Sequence, residues 1–138
     1  LAMDMAGHDV MGDDVDATRM QKRSINYRET AQDGVSPLEP LLRKSNLKFG
    51  MVDDVVKHSE IIFVAIQTPH EERYEGVTRI PDERIDFNYD YLVKGVGALA
   101  RAIEENGEDK IVVIISTVLP GTIKNRICAI CCVSASRA

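Results

Sequence analysis

Residues 60–69 read EIIFVAIQTP, six consecutive apolar residues that stop at Gln67, Thr68 and Pro69. Such a run, rich in β-branched types and without alternation, suits a strand buried on both faces, as in a parallel sheet covered by helices. A buried helical turn is the rival reading. Pro69 argues against it, since proline ends a ladder and drives the preceding Thr68 towards an extended conformation where the strand must leave the sheet. The polar trio then sits at the carboxyl end of a central strand, where open α/β sheets bind their ligands. Residues 110–120, KIVVIISTVLP, repeat the design, with an Ile and Val run ending in Ser116 and Thr117. Singly, such hydroxyls often do no more than cap strand ends. As a pair, the two ends predict a shelf for a cofactor.

The 138 residues suffice for one domain of ordinary size. An apolar share of 44% and a charged share of 28% fit a folded, water-exposed protein and exclude a disordered chain. No run approaches the ~20 apolar residues of a membrane span, and residues 1–6 lack the basic start of a signal peptide. The expectation is therefore a cytoplasmic protein without a membrane partner. A net charge of −5 speaks against nucleic acid as a partner. Cys128, Cys131 and Cys132 crowd the carboxyl end without a fourth ligand or paired histidine spacing, so no metal site is expected.

Around the central strand the chain alternates. Residues 1–7, LAMDMAG, read as a helix end with Gly7 as its left-handed stop. That start leads to the expectation that a further segment precedes residue 1. Residues 8–14 form a short strand ending in Asp13 and Asp14, and Asp16 is placed to cap a helix over 17–23. A short helix with Pro37 in its first turn follows, then a strand over 47–49 and a helix over 53–58. Residues 70–86 read as a long, charged loop at the ligand end, mobile without ligand. Tyr89, Leu92, Val93, Val96, Ala100 and Ile103 mark an amphipathic helix over 88–105, closed by Asn106 and Gly107, and a last helix starts near Gly121. The order β, α, α, β, α, β, α, β, α predicts an α/β, doubly wound parallel sheet of Rossmann type.

A carboxylate at the end of the second strand of such a sheet can accept hydrogen bonds from the two ribose hydroxyls of an adenosine, and it repels the 2′-phosphate that distinguishes NADP from NAD. Asp14 fits this role. Its alternative is a helix cap or a solvated turn. Asp13 points to the opposite side of the strand. Arg19 either meets a phosphate, lies on the adenine, or is an ordinary surface arginine.

GHDVMGDDVDATRM, IIFVAIQTP and IVVIISTVLPGT, in this order and spacing, resemble the NAD-binding domain of the UDP-glucose and GDP-mannose dehydrogenases, which oxidise a sugar C6 alcohol to a carboxylate. The resemblance covers residues 1–129, and the tail 130–138 departs from it. It implies that Asp14 and Arg19 bind the adenosine half of NAD. Gln67, Thr68 and Pro69, with Ser116, Thr117 and Val118, line the cofactor nearer its reactive end, and Thr117 assists catalysis. It further implies a nucleotide-sugar substrate and a homo-oligomer at full length. The alternatives are another Rossmann-type dehydrogenase, or a non-catalytic nucleotide-binding or interaction module.

The departures also carry expectations. The first strand and the GxGxxG loop of the family would lie before Leu1, and GVSPL stands at residues 34–38 where the family has YEPGL. The nucleophilic cysteine of the family lies in a later region and is not matched by Cys128, Cys131 or Cys132. The chain alone is therefore expected to be inactive and to bind NAD negligibly. With strand order 3-2-1-4-5, the strands of Val10 and Phe63 would flank the absent first strand, and the chain alone is expected to be unstable, to collapse so that these two strands pair directly, or to fill the slot with another strand.

Overall fold

The computed structural model describes residues 1–15, 44–71, 74, 82–83 and 85–128. The helices expected over 17–23 and 37–44, most of the 70–86 loop, Arg19 and the tail from 129 onward, with Cys131 and Cys132, fall outside them or nearly so. Contacts divide the chain into two units, Leu1–Ser59 and Glu60–Ala138.

The first unit opens with α1, Ala2–Met5, a single turn stopped by Gly7 at φ 92°. Its end is closed by Gly7 N–H donating to Asp4 O (2.9 Å) and His8 N–H to Met3 O (3.1 Å), bonds that satisfy carbonyls a helix end leaves unpaired. Strand β1, Met11–Gly12, pairs in parallel with β2, Lys48–Phe49. Lys48 N–H to Val10 O and Gly50 N–H to Gly12 O, each 3.0 Å, extend that ladder at both ends. Gly50 then lets the chain turn tightly into α2, Val52–His58, because a Cβ there would stand 2.8 Å from Asp54 Cβ. Asp54 Oδ2 accepts from Met51 N–H at 3.0 Å, and Asp53 and Asp54 in the first turn with Lys57 and His58 in the last complement the helix dipole. Val55 and Val56 on its inner face are buried. Beside β2, Lys48 Nζ reaches Asp9 Oδ2 at 2.8 Å with His58 Nε2 at 3.5 Å. That lysine hydrogen bond, with the Lys48 charge and the nearby His58 adding to it against the opposing effect of desolvation, holds the Asp9 carboxyl below its ordinary range.

The second unit is a βαβ module. Strand β3, Ile61–Val64, lies parallel to β4, Ile111–Ile114, in the register Ile61 to Ile111 through Val64 to Ile114. Helix α3, Asp90–Asn106, connects them. Asn88 Oδ1 accepts from Asp90 N–H at 2.8 Å at its start, and Gly107 at φ 72° accepts the left-handed turn at its end. Tyr89, Leu92, Val96, Leu99 and Ala102 recur at helical spacing and are buried, as are Ile62, Val64 and Ile127. At the far end of β4, the Lys110 side chain is only 4% exposed while its Nζ meets Glu108 Oε2 at 2.8 Å. The aliphatic stem is covered and the charged head is partnered.

Burial of the central strand on both faces does not hold. Along β3 exposure alternates, with Ile62 and Val64 buried but Ile61 and Phe63 about half exposed. Ile111, in register with Ile61, is 61% exposed, and Ile115 just past the end of β4 is 60% exposed, while Val113, in register with Phe63, is half-buried. A run of Ile, Val and Phe states only that a strand is apolar; whether its second face is covered depends on what packs there. The helix expected at the end of the chain also differs, as Ile123–Ile127 is π-helical and follows Gly121 at φ 90°.

Among the described residues β1 pairs with β2 and β3 with β4, all in parallel. These pairings are those expected of neighbours in a 3-2-1-4-5 order.

Candidate functional site

The carboxyl ends of β3 and β4 are joined beyond their backbone ladder. The last strand-type bond is Ile115 N–H to Val64 O, 2.9 Å. From there two hydroxyls take over. Ser116 Oγ accepts from Ile66 N–H at 2.9 Å and donates to Val64 O at 3.4 Å, so a side chain replaces the carbonyl that a longer strand would offer. Thr68 Oγ1 then donates to Thr117 O at 2.8 Å. Serine and threonine suit this position because a hydroxyl can both donate and accept where diverging strands leave odd groups unpaired.

Parallel register therefore brings Gln67, Thr68 and Pro69 beside Ser116, Thr117 and Val118. Their side chains divide the work. Ser116 and Thr68, both half-buried, stitch the strands together, while Gln67, Pro69 and Thr117 are exposed. Among the described residues the Thr117 hydroxyl has no hydrogen-bond partner, although its backbone is fixed by Thr68. The strand-capping reading thus describes Ser116 and Thr68, and Thr117 is the hydroxyl presented outward.

The approach to this shelf is anchored by the segment before α3. Asn88 N–H donates to Pro69 O at 2.8 Å, closing the neck of the 70–87 segment. His70 packs edge-on against Phe87 with ring centres 5.6 Å apart. Tyr89 is the residue that the sequence reading missed, where it counted only as an apolar position on the helix. Its hydroxyl accepts from Leu119 N–H at 3.1 Å, in the turn that carries Thr117. A tyrosine rather than leucine or phenylalanine in the first turn of a core helix was the available signal, because a buried phenol needs polar partners.

Asp14 belongs to the other unit, immediately beyond β1. It is half-buried, and Asp13 is exposed, as alternation requires. Partial desolvation pushes the Asp13 carboxyl above its ordinary range; the Asp14 N–H bonded to it opposes that shift and the Asp14 charge adds to it.

A parallel α/β sheet with hydroxyl and amide groups gathered at its strand ends is the architecture of a nucleotide-binding domain. The comparisons specify it. The model of the UDP-glucose/GDP-mannose dehydrogenase family, NAD binding domain, matches residues 1–137, and the chain belongs to that family. GDP-mannose 6-dehydrogenase of Pseudomonas aeruginosa is 27% identical over 121 residues, which cover 86% of this chain and 25% of that protein. The ternary complex of GDP-mannose dehydrogenase from Pseudomonas aeruginosa superposes with a TM-score of 0.77 at 24% identity, over 99% of this chain and 29% of its own. UDP-glucose dehydrogenase from the archaeon Pyrobaculum islandicum gives 0.72 at 22% identity, over 97% and 29%. The fold is thus Rossmann-like, and the chain spans about a quarter of the length of its curated relative.

Proposed function

We propose that this chain is the cofactor-binding part of a nucleotide-sugar 6-dehydrogenase, which oxidises the C6 alcohol of a UDP- or GDP-sugar to the uronate with NAD. The observation that carries this reading is the register of β3 and β4, which sets Gln67–Pro69 beside Ser116–Val118 in a chain of this family. An exposed amide and hydroxyl next to the apolar walls of Pro69 and Val118 suit an aromatic ring bearing a carboxamide. From alcohol to uronate two hydrides leave C6 and one water is added, so two NAD molecules bound in turn would each accept one hydride. Gln67 would orient the reactive ring of NAD and the Thr117 hydroxyl, beside that ring, would assist catalysis, with Thr68 and Ser116 holding their backbones in place. Asp14 would accept from the adenosine ribose, and Arg19 would meet a phosphate or the adenine. The complete reaction belongs to a cytoplasmic, homo-oligomeric protein of its relatives' length.

Asp14→Ala tests this reading in a protein of that length carrying this domain. Loss of hydrogen bonds to a charged carboxylate costs ~1 to 3 kcal/mol, so the NAD affinity should fall about 5- to 150-fold. Asp13→Ala, on the opposite side of the strand, should leave it unchanged. A KM for NAD that is the same in Asp14→Ala and the parent protein would remove Asp14 from the cofactor site.

A further inference from the structure

The Tyr89 hydroxyl lies where separate segments of the second unit meet. The residue is 2% exposed. Its hydroxyl donates to Asp86 Oδ1 at 2.8 Å and accepts from Leu119 N–H at 3.1 Å. The ring carries the Arg126 guanidinium 5.5 Å from its centre and leans on Phe87 at 6.3 Å. Phenylalanine would fill the same volume and keep the same stacking partners, so packing alone gives no reason for the hydroxyl. What the hydroxyl adds is a bond across the chain to the turn after β4. That turn is pinned at Ser116 by the end of β3, at Thr117 O by Thr68, and at Leu119 N by Tyr89. The Thr117 hydroxyl is carried on this pinned stretch.

We propose that Tyr89 is a positioning residue for the 116–119 turn: its hydroxyl, oriented by Asp86, holds the Leu119 amide and thereby fixes where the Thr117 hydroxyl stands. The hydrogen-bond part of this inference is independent of function, and its catalytic part rests on the role given to Thr117 above. Asp86 enters as the group that settles the direction of the Tyr89 proton. With its carboxylate accepting the hydrogen bond from that hydroxyl, an oxygen lone pair is turned to Leu119 N–H.

Tyr89→Phe removes only the hydroxyl. In amide hydrogen exchange followed by NMR, the Leu119 amide should exchange about tenfold faster, the loss of one hydrogen bond. Its proton resonance should move upfield, with shifts at Thr117 and none along α3 beyond its first turn. Tyr91→Phe, on an exposed ring of the same helix, is the control and should change nothing at Leu119. Unchanged Leu119 exchange, or a loss spread evenly over α3, would reduce Tyr89 to a core ring and overturn the proposal. If Tyr89→Phe does not fold, Asp86→Ala keeps the ring and frees the hydroxyl. Faster Leu119 exchange in that variant supports the proposal, and wild-type exchange overturns it. In a protein of its relatives' length, Tyr89→Phe should lower kcat about tenfold with the KM for NAD nearly constant, and Thr117→Ala should make the further loss small. A responsive Leu119 with wild-type kcat would overturn the positioning role. A parent protein that does not bind NAD would instead overturn the proposed function and leave the Leu119 result intact.

Discussion

Leu92→Ala is expected to lower stability by about 2 to 5 kcal/mol, the range for truncating a fully buried leucine. Leu92 is 0% exposed and lies in the stripe Tyr89, Leu92, Val96, Leu99, Ala102 that forms the buried face of α3. Truncation removes the transfer free energy of the lost carbons and leaves a void that the neighbouring rigid secondary structure closes only in part. Against the ~5 to 15 kcal/mol that hold an ordinary domain together, this is a large share. The far-ultraviolet circular dichroism melt should move down by about 10 °C or more. Tyr91, next in sequence but 61% exposed, provides the contrast. Tyr91→Ala should change stability by no more than ~0.5 kcal/mol. Comparable losses at 91 and 92 would mean that the buried face of the helix has been assigned to the wrong residues.

Thr117→Ala is expected to reduce kcat on the order of 10²-fold in a protein of its relatives' length, with little change in NAD affinity. The substitution is clean because the bond holding the turn uses the Thr117 carbonyl, which alanine retains, rather than its hydroxyl. What disappears is an exposed hydroxyl on a fixed backbone, able to orient a water or donate to an oxygen as charge develops there. Thr117→Ser keeps that group and should recover most of the rate. If Thr117→Ala weakened NAD binding and left turnover alone, the residue would be a cofactor contact without a catalytic part. Ser116→Ala cannot serve the same purpose, since its hydroxyl ties β4 to Ile66 and Val64 and its removal would confound binding with structure.

Much of the frame was legible in the residues because it is set locally. Gly7 and Gly107 announce helix stops and adopt positive φ, and of the apolar positions expected on the long helix 89, 92 and 96 are buried, although Leu99 and Ala102 take the buried places expected of Ala100 and Ile103. The runs before Gln67 and Ser116 become the paired strands β3 and β4. What escaped is set by distant partners. Nothing in EIIFVA reveals that Ile61 and Phe63 stay open to water while Ile62 and Val64 do not. The two hydroxyls after IVVII look alike in sequence. Only the register shows that Ser116 closes the strand pair and Thr117 faces outward. Tyr89 looked like one more apolar helix position, and its bond to Leu119 joins residues thirty apart in the chain.

The open side of the β3/β4 pair will be felt in heat capacity. Unfolding raises heat capacity mainly by exposing apolar surface to water, and typical domains gain ~12 to 15 cal/mol/K per residue. Ile61, Phe63, Ile111 and Ile115 already meet solvent over about half or more of their surface in the folded chain, so they have less to expose. Differential scanning calorimetry should accordingly give a specific heat-capacity increment below that typical range. The stability curve should be correspondingly flat, varying less between cold and warm conditions than that of a domain of equal length with both sheet faces covered. Urea titration should agree, with an m-value below that expected for the chain length, since it follows the same newly exposed area.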